Sequence, residues 1–257
     1  MDIEIAKNEF LNYTNSYDLS NFNIKRKVDH SLRVMELCKI IAENLNLDVE
    51  DIKLAELIGL LHDIGRFEQM KVYNTFNDSI SIDHGDLGVK ILKDNNYIRK
   101  YINEDIFDGI IYAAIHNHNK FEIEEGLSER ELLFSKIIRD ADKIDILFQA
   151  TCITWNNSIE KIENEKIKEE DIQPILENRM INRLKDQKNI ESPLNHILTY
   201  CAFTFDINFK ISFKVLKDRD YINSMLNRFN FKDEETKKLF EKVRIIVNTY
   251  IDNKQKG

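Results

Sequence analysis

The 257-residue chain is predicted to be all-α. Glycine (7) and proline (2) are scarce for this length, which argues against a turn-rich β-sandwich or barrel and for long helices joined by short loops. Hydrophobic residues make up 42% and aromatic residues 10%, a globular composition. A chain this long can bury a sizeable core, as one large domain or as a domain with an appended subdomain. The decisive observation is apolar spacing, which follows a helical period through most of the N-terminal half.

The first clear helix covers residues 25–46, with Val28, Val34, Leu37, Cys38, Ile41 and Leu45 at helical spacing and His30 near its front. Asp48 and Asp51 read as an N-cap and its partner three residues on. They open a helix with Ile52, Ala55, Ile58, Leu61 and His62 along its apolar side, and Gly65 is expected to stop it. Residues 66–82 have no clean period and are expected to form an irregular connection, with Tyr73, Phe76 and Asn77 available to stack on or hydrogen-bond a base. A loop of that length in a compact domain is more often functional than idle. A helix is expected to begin near Asp83-His84 and a fourth to run from about Asn103 into Ile115. A fifth starts at the capping box Ser128-Glu129-Arg130-Glu131 and carries Phe134, Ile137, Ile138 and Ala141 up to Asp142.

After residue 150 the texture changes, so the expected division is a core over 1–150 and a C-terminal helical extension over 151–257 that packs on it. The stretch EKIENEKIKEED (160–171) is a mixed-sign charge run, the mark of a solvated helix face or a subdomain boundary. Ser192-Pro193 resembles an N-cap followed by proline at the first helical position. FTFDINFKISFKVL alternates over part of its length, which leaves a strand open between helical neighbours.

The net charge is −8 and the sequence pI about 5.4. A surface of that sign repels nucleic acid and anionic membranes, so bulk nucleic acid and membrane are not expected partners. An anionic substrate would need a local positive centre, such as bound metal. Cys38, Cys152 and Cys201 lie far apart and form no CxxC pair, the usage of a reducing cytosol. The N-terminus lacks a secretory pattern and no apolar run approaches the ~20 residues that cross a bilayer, so a soluble, cytoplasmic protein is expected.

The six histidines are His30, His62, His84, His116, His118 and His196. One buried histidine on an apolar face is ordinarily structural. Several helices each contributing one toward a shared core need a common polar partner, and a metal site provides it. On the fourth helix Phe107, Ile111, Ala114 and His118 share one face, so His118 is the candidate ligand. His116 falls nearly opposite and is expected behind the ligands or at the surface. Asp142 shares a face with Ile138 and Ala141, whereas Asp140 does not. Asp145, one turn on, is expected to hold a ligand from behind. His196 stands outside the group. His62 and Asp63 differ by about 100° around a helix, yet at a helix end both can converge on one ion. Asp63 has two oxygens and could bridge two ions.

In order, DHSLRVMEL (His30), LLHDIGR (His62, Asp63), DHGDLGVKIL (His84), AAIHNHNKF (His118) and IRDADKIDIL (Asp142) resemble the HD-domain superfamily of metal-dependent phosphohydrolases, over roughly residues 25–150. The resemblance implies an HD-domain helical bundle with additional C-terminal helices. It also implies the binuclear branch, with His30, His62, Asp63 and Asp142 on one ion and His84, His118 and the second oxygen of Asp63 on the other. Such mixed ligands suit two divalent transition metals among Fe, Mn, Co and Zn. The expected reaction is hydrolysis of a nucleotide or other small phosphate ester or anhydride through a metal-bridging hydroxide. Arg66 would clamp phosphate beside the catalytic Asp63, or else serve as a helix-end cation. Asn77, Lys120 and Lys143 are weaker substrate-binding candidates. No GYP follows, and His116-Asn117-His118 replaces an adjacent histidine pair, which points away from cyclic dinucleotides. A di-iron oxygenase similar to myo-inositol oxygenase and a non-catalytic nucleotide sensor are the alternatives.

Overall fold

Helix ends in this chain follow from short polar side chains that satisfy backbone N–H groups left without helical partners. The computed structural model describes residues 1–152, 158–187 and 192–256, and among them there is no strand. The chain divides after Asp142 into two units, Met1–Asp142 and Lys143–Gly257.

In the first unit, α1 (Ile3–Thr14), which has no clear signal in the sequence, is capped by Asp2 through the N–H groups of Glu4 and Ile5. Helix α2 (Phe22–Asn44) covers most of the expected first helix, beginning three residues earlier and ending two earlier, and buries His30, Val34, Cys38 and Ile41. Asp48 caps α3 (Val49–Leu61) by accepting from Asp51 N, as the sequence implies. From Leu54 to Leu61 every residue of α3 is buried, and the helix packs on α1, α2 and the later helix Asp108–Asn117.

Gly65 does not stop α3. It lies inside α4 (Ile64–Tyr73), which starts directly after Asp63. A Cβ on Gly65 would stand 2.3 Å from His84 O and 2.7 Å from Gly88 N, so this glycine permits α4 to touch α5 (His84–Lys93) backbone to backbone. The irregular connection is correspondingly shorter than 66–82. Phe67 and Met70, one turn apart, give α4 a buried face. The chain leaves it at Asn74 in the left-handed conformation, and a short 3-10 turn follows at Asp78–Ile80.

Helix α6 (Asp108–Asn117) begins later than expected. Arg99 donates to Asn103 O and pairs with Asp108, which fixes residues 103–107 as connection instead of a first helical turn. Helix α7 (Glu129–Cys152) opens on the expected capping box: Ser128 N donates to Glu131 Oε2 at 2.8 Å and Glu131 N to Ser128 Oγ at 3.3 Å. It continues past Asp142, so the division between the units falls within it.

The second unit holds the last turns of α7, then α8 (Ile159–Asn164), α9 (Gln173–Leu176), α10 (Arg183–Asp186), α11 (Pro193–Ala202), α12 (Lys210–Arg219), α13 (Tyr221–Leu226) and α14 (Glu234–Lys256). Ser192 caps α11 with Pro193 at its first position, as expected. The alternating stretch 203–216 is not a strand: a 3-10 turn at Phe203–Asp206 leads into α12. Phe213 and Leu216, three residues apart, are both buried, and α12 packs on α14, so the helical period prevails.

Candidate metal centre

Three histidine rings of the first unit are fixed from behind in the same way. The last carbonyls of a helix lack intrahelical partners, and two of these rings use them. His62, at the end of α3, places Nδ1 2.7 Å from Gly59 O; His118, at the end of α6, places Nδ1 2.6 Å from Ile115 O. His84, the first residue of α5, has Nδ1 2.6 Å from Asp78 Oδ2. Carbonyl and carboxylate oxygens can only accept, so each Nδ1 carries the proton and each Nε2 keeps its lone pair.

Those Nε2 atoms converge on Asp63. Its Oδ2 lies 3.4 Å from His30 Nε2 and 3.5 Å from His62 Nε2. Its Oδ1 lies 3.4 Å from His84 Nε2 and 3.7 Å from His118 Nε2. Asp142 Oδ1, from α7, closes the first group at 3.1 Å from His30 Nε2 and 3.7 Å from His62 Nε2. Two sets of ligand atoms therefore meet at one carboxylate, each within metal-holding range: His30, His62 and Asp63, and Asp63, His84 and His118.

The donor chemistry fits cations. Ligands about 2.1 Å from one ion stand about 3.0–3.4 Å apart in octahedral or tetrahedral arrangement. Here His30 and His62 Nε2 are 3.2 Å apart, and His84 and His118 Nε2 are 3.0 Å apart. His84 and His118, whose Nδ1 protons are both turned to acceptors, face each other lone pair to lone pair and are disposed as ligands of a common cation.

Residues 28–147 match the family model of the HD domain. This segment is an HD domain. The superfamily is one of metal-dependent hydrolases that bind divalent metals. Comparison with curated proteins and with solved structures gave no match. Among the described residues no helix is long and apolar enough to cross a membrane.

The electrostatics of the HD domain suit metal ligation. Burial pushes the His62 and His84 imidazoles down, with the Arg66 guanidinium adding to the effect at His84, whose pKa falls to about 3. Burial alone would raise the Asp63 carboxyl, but Lys27 and His62 hold it well below the usual range. Burial of Asp142 is likewise outweighed by the His30 and His62 rings beside it, which hold its carboxyl well below the usual range. The ring of His62, that of His84 and both carboxylates are thus ready to bind metal at neutral pH without losing a proton.

Three residues at the centre escaped the sequence reading. Lys27 Nζ is 2.6 Å from Asp63 Oδ2, and its only signal is its place one helical turn before His30. Asp78 orients His84 and also takes Arg66 Nη1 at 2.8 Å. It lies in a connection without periodicity, so nothing in the sequence marks it. Arg139, 1% exposed, donates to the carbonyls of Asn117, Lys120 and Phe121, fixing the chain on both sides of His118. It stands one turn before Asp142, so α7 both carries one candidate ligand and anchors another.

Other candidates are placed differently. Arg66 sits beside the centre, its Nε 3.6 Å from Asp63 Oδ1, while Nη1 binds Gln69, Phe76 O and Asp78. Asn77 caps the 3-10 turn by accepting from Ser79 N. Lys120 Nζ pairs with Asp83 at 2.7 Å and Asp86 at 3.2 Å. His116 bonds Asp86 at 2.6 Å and is no part of the ligand groups. Lys143 and Asp145 belong to the second unit, where Lys143 pairs with Asp206 at 2.8 Å and Asp145 accepts from Gln149 at 2.8 Å. His196, also there, meets Arg183 Nη2 at 3.3 Å.

Proposed function

We propose that this chain is a binuclear metal-dependent phosphohydrolase acting on a nucleotide or another small phosphate ester or anhydride. One observation carries the reading: the two oxygens of Asp63 are divided between two groups of ligand atoms. His30, His62, Asp142 and Oδ2 would hold one ion, and His84, His118 and Oδ1 the other. Bound divalent ions would supply an acidified water as nucleophile and positive charge against the phosphoryl oxygens.

The chain's own groups do the rest. Gly59 O, Ile115 O and Asp78 keep the three imidazoles in one tautomer and one orientation, so the ligand set is preorganised. Asp78 and Phe76 O hold Arg66 on the Oδ1 side, where a guanidinium can meet phosphoryl oxygens. Lys120 enters the reading less strongly, because its charge is shared by two carboxylates. A local cationic centre also explains how a chain of net charge −8 would attract an anion.

The test is elemental analysis per chain after purification without oxygen or added metal, followed by a phosphate-release screen over nucleotides with Mn. Two ions and phosphate release are expected. His84→Ala should then bind one ion per chain and remain folded. A single ion in the parent chain would overturn the binuclear assignment. A mixed-valent iron pair without phosphate release would put the oxygenase in its place, and a loaded centre with neither reaction the sensor.

A further inference from the structure

Two cations flank the central carboxylate, and they differ in how their donors are used. Lys27 projects from the same face of α2 as His30 and puts Nζ 2.6 Å from Asp63 Oδ2, with 16% of its side chain exposed. It lies 5.9 Å from the centre of the Phe76 ring. Arg66 stands on the other side, 5.6 Å from the same ring and 3.6 Å from Asp63 Oδ1. Arg66 Nη1 is committed to Gln69, Phe76 O and Asp78. Among the described residues the Lys27 ammonium donates to Asp63 alone, which uses one of its three N–H donors.

A buried carboxylate without compensation is strongly destabilising, and Lys27 compensates Asp63 when metal is not there to do so. Dications on both oxygens of Asp63 would take over that task and leave the ammonium facing like charge. An anionic oxygen between them relieves the repulsion and uses the remaining donors. The flexible four-carbon stem allows the small shift from carboxylate to anion.

Resting on the phosphohydrolase reading above, we propose that Lys27 is a substrate-binding residue that exchanges Asp63 for a phosphoryl oxygen when the centre is loaded. Its partial exposure gives the substrate access, and the Phe76 ring beside both cations walls the position on one side.

The experiment compares full-length Mn-loaded parent, Lys27→Met and Lys27→Arg. Metal per chain is read by elemental analysis, inorganic phosphate binding by calorimetry, and kcat and KM on whichever substrate the screen finds. Lys27→Met should keep both ions, bind phosphate at least about tenfold more weakly and raise KM in step, the scale of a lost charge-assisted hydrogen bond. Lys27→Arg should restore most of the phosphate affinity. Unchanged phosphate binding in Lys27→Met would overturn the proposal, and so would loss of an ion, which would make Lys27 only a support for Asp63. Should Lys27→Met fail to fold, Lys27→Gln, which can still donate to Asp63, is read in the same way. A parent chain that releases phosphate while Lys27→Met matches it sinks Lys27 alone. A loaded parent that neither binds nor releases phosphate sinks the hydrolase reading and this one together.

Discussion

Asp63 is positioned as an N-cap of α4, yet its side chain makes no capping hydrogen bond. Both oxygens are turned instead to histidines, and the 2% exposure of the side chain removes water as an alternative partner. The cost of that arrangement is spread over neighbours, of which Asp78 is the most informative. Burial would raise its carboxyl, but His84 and Arg66 hold it below the usual range, so it stays a charged acceptor for the His84 ring. Asp78→Ala should weaken binding of the ion on the His84 side by roughly 10–100-fold, the range for loss of a group that orients a metal-bound imidazole. The ion held by His30, His62 and Asp142 should be little affected. Titration against a chelator, reading the two ions separately, checks this, and equal weakening of both would contradict it. The sequence made the histidines conspicuous because the residue is rare in this chain and recurs on successive helices. Lys27 and Asp78 were invisible because lysines and aspartates are abundant here and mostly solvated, and neither sits in a pattern that separates it from the rest.

Three of the candidate ligands are placed by helix termini. The ends of α3 and α6 and the start of α5 place His62, His118 and His84, so the separation of those helices fixes the separation of the ligands. Gly65 sets one such distance. Alanine has a higher helix propensity than glycine by about 1 kcal/mol, so Gly65→Ala would stabilise an isolated α4. In the fold its Cβ would meet His84 O and Gly88 N, both backbone atoms with no rotamer to change. Overpacking of this kind costs about 1–3 kcal/mol. We therefore expect net destabilisation in urea together with weakened binding on the His84 side, since α5 must move and carries His84 with it. Stability equal to or above the parent would show that the α4–α5 approach is not tight. The same glycine explains why α4 was not legible: glycine after an apolar run reads as a helix stop, and only the three-dimensional approach of α5 shows another use. Capping boxes and N-caps at Asp48, Ser128 and Ser192 were legible because their chemistry is local.

At the scale of the molecule, the histidines and aspartates that meet at the centre could be picked out across more than a hundred residues because each helix carries its own, whereas the late start of α6 could not, since it depends on Arg99 reaching Asn103 and Asp108. The assembled centre makes stability depend on pH. His84 titrates ordinarily near 6.5 and is lowered to about 3 by burial and by Arg66, against the pull of Asp78 and Asp63; His62 is lowered by burial too. From about 6.5 down to about 3 the unfolded chain takes up protons that the folded chain refuses at His84. Stability from this source is therefore complete above the upper limit and lost as the pH falls through that interval. Asp63 and Asp142, held below their ordinary 3.8, add a contribution that persists until more acidic conditions protonate them. Metal binds the folded state, in which His84, Asp63 and Asp142 already stand unprotonated through that interval, so its stabilisation should persist there. Thermal unfolding of chelator-treated and Mn-loaded protein, at about pH 7.5 and about pH 5.5, tests both statements. The metal-free chain should melt lower at the acidic value, and the interval between the two melting temperatures should be kept there. A metal-free chain more stable at the acidic value would mean that these imidazoles are protonated within the fold, and the ligand geometry would then need another cause.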